Sequence, residues 1–197
     1  MKKDFQISVL VGFMAGVLLL PTLRNLGVQF NLSSVAISIV GLTVLTPAGY
    51  AAAYWLSQWW PVMLQFIKFA IVGGLNFTID LAVLNFLIFL SGISVGYFYT
   101  AFKATSFVLA VINSYFWNKY WTFHVEGAPQ AVEFTKFIAV NLIGFGINVS
   151  VASAVVNLVG APPGISETIW ANVGAVTASV TALFWNFIGM KFVVFKR

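Results

Sequence analysis

Phe66-Ile67-Lys68-Phe69-Ala70-Ile71-Val72-Gly73-Gly74-Leu75-Asn76-Phe77-Thr78-Ile79-Asp80 begins an apolar run that continues to Leu90. A helix needs about 20 apolar residues to cross the roughly 30 Å hydrocarbon core of a bilayer, so Phe66–Leu90 predicts a transmembrane span. The opening returns downstream. Phe134-Thr135-Lys136-Phe137 stands 68 residues after Phe66-Ile67-Lys68-Phe69, and Asn148 stands 68 after Asp80. Phe116-Trp117-Asn118 returns as Phe184-Trp185-Asn186 at the same offset, but Lys119-x-x-x-Phe123 returns as Lys191-x-x-x-Phe195 at 72. That slip of four is about one helical turn. Each copy holds two spans, so both copies start on the same side, which predicts a parallel repeat about an axis along the membrane normal.

Five further stretches qualify as spans: Phe5–Leu23, Val35–Trp59, Phe98–Tyr120, Phe134–Val159 and Glu167–Phe192. The predicted fold is an all-α polytopic membrane protein with six transmembrane helices. A four-helix core of two parallel two-helix repeats (62–197) follows an N-terminal two-helix hairpin (1–61). Composition agrees, since 60% of the 197 residues are hydrophobic and 8% are charged, against about 25% charged in a soluble domain. Lys2-Lys3 before an apolar run resembles a signal peptide, but the run is long and no small-x-small site follows Pro21 promptly, so a retained helix is expected. The absence of cysteine excludes disulfides, thiolate metal sites and thiol nucleophiles, and the single histidine, His124, cannot build a His-rich metal centre. No Gly-rich phosphate loop and no HExxH occurs, so neither an enzyme nor a cofactor is expected. His124, Glu126 and Glu133 share one loop, read as solvated.

The basic residues set the orientation. Lys119 and Lys136 bracket the loop between the fourth and fifth spans, and Lys191, Lys196 and Arg197 close the chain, while the turns at 91–97 and 160–166 hold no Lys or Arg. The positive-inside rule therefore predicts cytoplasmic N- and C-termini in the cell membrane, with Arg24 the lone dissenter. The net charge of +5 fits anionic lipid contact better than nucleic acid.

Two motifs carry a family resemblance. Lys68-Phe69-x-x-Val72-Gly73-Gly74-x-Asn76-x-x-x-Asp80 opens the first repeat, and Asn113-x-x-x-Trp117-Asn118-Lys119-x-Trp121-Thr122-Phe123 ends it; the second repeat ends on Trp185-Asn186 and Lys191-Phe192-Val193-Val194-Phe195. Over about residues 64–197 the chain resembles the GtrA-like family of small four-span membrane proteins. Asn141 and Leu142 replace the Gly pair in the second copy, and Lys191 lies one turn late. The resemblance implies translocation of polyprenyl-phosphate-linked sugars for cell-surface polysaccharide synthesis or glycosylation. The alternative it implies is a non-transporting adaptor that anchors or assists a glycosyltransferase, with loop 123–135 and the C-terminus binding that partner. A small-solute exporter dependent on Asp80 is a third reading.

Asp80 lies roughly 20 Å along its helix from Phe66, near the midplane, where an acid costs about 2.5–3.5 kcal/mol. It is therefore expected to face the bundle interior, with Lys103 reaching down to pair with it. The pair is either a polar site for a sugar or proton or a packing contact, and Lys103 could instead snorkel. Asn76, Asn113, Asn118, Asn141, Asn148, Asn172 and Asn186 supply intramembrane amides, suited to sugar hydroxyls or to helix–helix hydrogen bonds. Lys119 and Lys191, which close the two motifs, are candidates to receive the lipid phosphate. Lys68 and Lys136 read first as orientation and lipid-surface charges. Trp117 and Trp185 could stack on a sugar or simply pack. Gly73-Gly74 and Gly144-x-Gly146 predict close helix approach, and Gly12-x-x-x-Gly16 is a helix-dimerisation signal in the first span. A homodimer would help so small a chain enclose a headgroup path.

Overall fold

The computed structural model describes residues 2–25 and 28–196; Arg197, used above for orientation, lies outside them. Among the described residues the chain is all-helical. Its elements are α1 (Lys2–Asn25), α2 (Leu32–Leu56), α3 (Val62–Ser91), α4 (Gly96–Trp117), α5 (Ala131–Ser153) and α6 (Glu167–Gly189). Among the described residues, five stretches are long and apolar enough to cross a membrane: α1, α2, α3, Ala131–Val159 and Trp170–Val194. The fourth helix has the length but not the apolarity, because it carries Lys103, Ser106, Asn113 and Ser114. It turns three of these onto α3, as described below. The chain is a multi-pass membrane protein. Its exposed side chains include Phe77, Phe86, Phe89, Leu142 and Phe145, the outward apolar face that lipid contact requires.

By their contacts the residues form two compact units, Met1–His124 and Val125–Arg197. In the first, α1 and α3 run parallel and α2 returns between them in sequence. Val11 and Ala15 of α1 pack with Leu75 of α3, and Ile7, Met14, Leu18, Ile71 and Ile79 surround them. The Gly12-x-x-x-Gly16 motif is used within the chain. A Cβ at Gly12 would overlap the Leu42 carbonyl oxygen, and one at Gly16 would come within 2.7 Å of the Ile39 Cα and the Ser38 carbonyl oxygen. The backbones of α1 and α2 therefore touch, and the Ser38 hydroxyl donates to the Gly16 carbonyl at 2.9 Å. Asn31 caps α2 with a reciprocal capping box through Ser34. Gly92, with φ of 69°, ends α3 in the left-handed region.

In the second unit α5 and α6 form a hairpin. The Trp185 indole N–H donates to the Val140 carbonyl at 3.3 Å, and the Phe137 and Phe195 rings meet at 6.5 Å. The Asn186 amide fills the space a Cβ at Gly144 would need, so Gly144 does permit close approach. Gly73, Gly74 and Gly146 are exposed, with nothing within 4 Å of an added Cβ among the described residues.

Among the described residues, three helices unwind into π segments at Asn118–Thr122, Ala154–Val159 and Met190–Val194. The first and third lie 72 residues apart and close alike, Phe123 N–H donating to the Asn118 carbonyl and Phe195 N–H to that of Met190. The slip in the repeat is thereby located. In the second copy α6 runs one extra turn, so Trp185 and Asn186 stay inside the α-helix while Asn118 sits in the π segment.

Gly12→Val and Gly16→Val should each lower stability by about 1–3 kcal/mol, the usual cost of overpacking, read as thermal unfolding in detergent. Gly73→Ala, at an open position, should unfold like the wild type.

Candidate functional site

Helix α3 presents polar groups on two faces of the first unit. Asn76 and Asp80 are one turn apart and share the face toward α4. The Lys103 ammonium pairs with Asp80 Oδ2, and the Ser106 hydroxyl donates to Asp80 Oδ1 at 2.6 Å. The Asp80 side chain is 17% exposed and that of Lys103 43%, so the carboxylate is half-buried and the lysine more open. Asn113 Nδ2 donates to Asn76 Oδ1 at 2.6 Å. The expected Asp80–Lys103 pair is therefore present, and Ser106 joins it as a partner the sequence did not single out. Asn85, on the face toward α1, donates to Thr22 Oγ1 at 3.0 Å and meets Asn25.

The other end of α3 holds a cluster that sequence reasoning missed. Lys68 is 3% exposed, and its ammonium lies 2.7 Å from Asp4 Oδ2 of α1. Asp4 Oδ1 accepts from the Trp121 indole N–H at 3.2 Å, and the Tyr50 hydroxyl of α2 reaches Oδ2 at 3.5 Å. His124 Nε2 lies 3.1 Å from the Lys68 ammonium, and that ammonium also sits 5.5 Å above the Trp121 ring. Lys68 is thus no lipid-surface charge, while His124 is exposed, as a solvated loop residue should be, and still meets the Lys68 ammonium. A depth count held the signal: the first and third spans enter from the same side, so Asp4 and Lys68 sit near one level.

A cavity of about 510 Å³ opens beside this cluster, lined by Asp4, Asn113, Trp117, Tyr120, Trp121 and His124 among others. Trp117 is half-buried, edge-on to Trp121 at 5.8 Å. Lys119 is 1% exposed, with its ammonium near 6 Å from both the Tyr115 and Tyr120 rings. Asn118 is buried and bonds back to Ser114 through its Nδ2. Its Oδ1 has no hydrogen-bond partner among the described residues.

The second unit carries the remaining candidates separately. Asn148 and Asn186 are half-buried, and Asn186 Oδ1 also has no partner among the described residues. Asn141 bonds to the Phe137 carbonyl, and Asn172 is exposed. Lys191 is half-buried, its ammonium under 6 Å from the Phe187 and Phe192 rings. Among the described residues no three His, Asp or Glu side chains converge on a place for a metal ion.

Residues 68–195 match a family described as GtrA/DPMS, transmembrane domain. A protein of Bacillus subtilis (strain 168) described as "Uncharacterized membrane protein YngA" is 29% identical over 128 residues, covering 65% of this chain and 77% of that protein. No solved structure matches.

The Asn76–Asn113 contact should behave as an interhelical hydrogen bond in lipid. A double-mutant cycle of Asn76→Val and Asn113→Val is expected to give a coupling of about 0.6 kcal/mol, measured as unfolding free energy in bilayer-mimetic micelles.

Proposed function

The chain belongs to the GtrA/DPMS transmembrane-domain family, and from that premise we propose that it carries polyprenyl-phosphate-linked sugars across the cell membrane for cell-surface polysaccharide synthesis or glycosylation. The observation that carries the proposal is the half-buried Asp80 carboxylate, held by Lys103 and Ser106 one turn from the Asn76–Asn113 pair. An ionisable pair inside a membrane helix bundle costs free energy and marks a functional site by default. Carboxylate, amide and hydroxyl groups in one line along the α3–α4 seam offer the donors and acceptors that sugar hydroxyls exchange. The lipid tail stays in the bilayer while the headgroup exchanges bonds along that seam, so no step needs covalent chemistry.

Trp117, on the wall of the cavity at the Lys68 end, supplies an aromatic face for the sugar ring. Lys119, whose ammonium lies 5.9 Å from the ring of Tyr120, another wall residue, is the candidate to receive the lipid phosphate. In the second unit, Lys191, Asn148 and Asn186 supply the repeat's counterpart groups. The positive-inside pattern makes the Lys68 end cytoplasmic, with the termini on that side. The chain's partners on this account are the polyprenyl-phosphate sugar and membrane lipids.

Reconstitution with a polyprenyl-phosphate sugar in liposomes tests the assignment. Exposure of the sugar on the two leaflets should equilibrate faster than in protein-free vesicles. Asp80→Asn should slow it roughly ten- to a hundredfold, the loss of a charged hydrogen bond worth about 1.5–3 kcal/mol. No acceleration by folded protein, with loop 123–135 essential in cells, would transfer the assignment to a glycosyltransferase adaptor.

A further inference from the structure

The groups around Asp4 are arranged as an anion site. The Lys68 ammonium, the Trp121 indole N–H and the Tyr50 hydroxyl come from three different segments and converge on one carboxylate. Lys68, 3% exposed, would be a buried unpaired cation without that carboxylate, a costly state. The carboxylate itself arrives on α1, which lies outside the matched region 68–195, whereas Lys68 and Trp121 lie inside it. Beside the carboxylate is not packed protein but the 510 Å³ cavity, whose wall includes Asp4, Trp121 and His124, with Lys3 as a further cation.

We infer that the Lys68–Trp121–Tyr50 cluster is a phosphate-binding site whose resting occupant is the Asp4 carboxylate, which an incoming lipid phosphate displaces into the cavity. The inference rests on the lipid-phosphate reading above for the source of the anion. The chemistry matches at each donor. A phosphate offers at least one negative charge and at least as many acceptor oxygens as a carboxylate, so it can take the same ammonium, indole and hydroxyl bonds. Asp4 then acts as a built-in competitor. It keeps Lys68 neutralised when no ligand is present and lowers the apparent affinity by the fraction of time it occupies the site. His124, 3.1 Å from the ammonium, and Lys3 stand where the displaced and arriving charges must pass.

The test is chemical rescue in detergent. Asp4→Asn should unfold at a lower temperature than the wild type, and farnesyl phosphate should raise its midpoint more than it raises the wild type's. Apparent affinity for farnesyl phosphate should be roughly tenfold tighter in Asp4→Asn, the gain from removing a competitor that fills the site about nine-tenths of the time. Farnesol, with the tail but no phosphate, should rescue neither protein, and Asp4→Asn with Lys68→Met should lose the rescue. Rescue by inorganic phosphate at equal concentration would support the anion site and name free anions as its ligand. Rescue by farnesyl phosphate alone would name the lipid headgroup. No rescue by either, or equal rescue by farnesol, overturns the inference and leaves Asp4 a structural partner.

Should Asp4→Asn not fold, the otherwise wild-type protein supplies the second readout. It has no cysteine, so Lys3→Cys places one thiol beside Asp4. Its reactivity toward a maleimide should fall with farnesyl phosphate, because the arriving phosphate and the displaced carboxylate both disfavour the thiolate, and not with farnesol; no change overturns the displacement. Flipping of lipid-linked sugar is read in neither experiment. Flipping without rescue removes the anion site alone, and rescue without flipping removes the carrier alone.

Discussion

An ammonium or carboxylate at hydrocarbon depth persists only where another helix meets it, because no water is there to do so. In the first unit α3 carries both signs, and each has a partner on a different element. Lys68 draws Asp4 of α1 to one end, and Asp80 draws Lys103 and Ser106 of α4 toward the other. Asn76 and Asn85 add neutral bonds to α4 and α1. These pairs fix register, since sliding α1 by one turn would strand Lys68 and sliding α4 would strand Asp80. The apolar contacts between them, such as Leu75 on Val11 and Ala15, tolerate other registers; the charges do not. The candidate sites follow from the same constraint, being the places where the polar groups that hold the helices together also reach a cavity or an open side.

Close backbone contact supplies the rest. Lipid tails compete with any apolar helix face, so helix pairs gain from small residues that let backbones touch. Gly12 and Gly16 do this between α1 and α2, and Gly144 does it for the Asn186 amide in the second unit. The two repeat copies solve their ends alike, with a π segment closing on Phe123 and on Phe195. They differ by the extra turn in α6 that moves Trp185 and Asn186 away from that segment.

Much of this is legible in the amino-acid sequence alone. Span length gave the helices, and two like-placed motifs gave the repeat. The cost of an acid near the midplane gave Asp80 its partner in Lys103. The pairing was readable because few residues could satisfy that acid and only one lay at the right depth on the next helix. Ser106 was not readable, since a serine in an apolar helix usually bonds its own backbone. Lys68 was misjudged because a lysine at a span's start is most often an interface charge, and its counter-ion came from a hairpin outside the repeat. Gly73-Gly74 is a different case. The motif marks a permitted approach, and among the described residues nothing makes it.

The account stands or falls on charge pairing along α3, and a charge swap between Asp80 and Lys103 tests it most directly. Thermal unfolding of Asp80→Lys, Lys103→Asp and the double exchange would be compared in one detergent. The account predicts that each single exchange lowers the midpoint sharply and that the double exchange restores much of it. Single exchanges as stable as the wild type, or a double exchange as damaged as the sum of its parts, would contradict it.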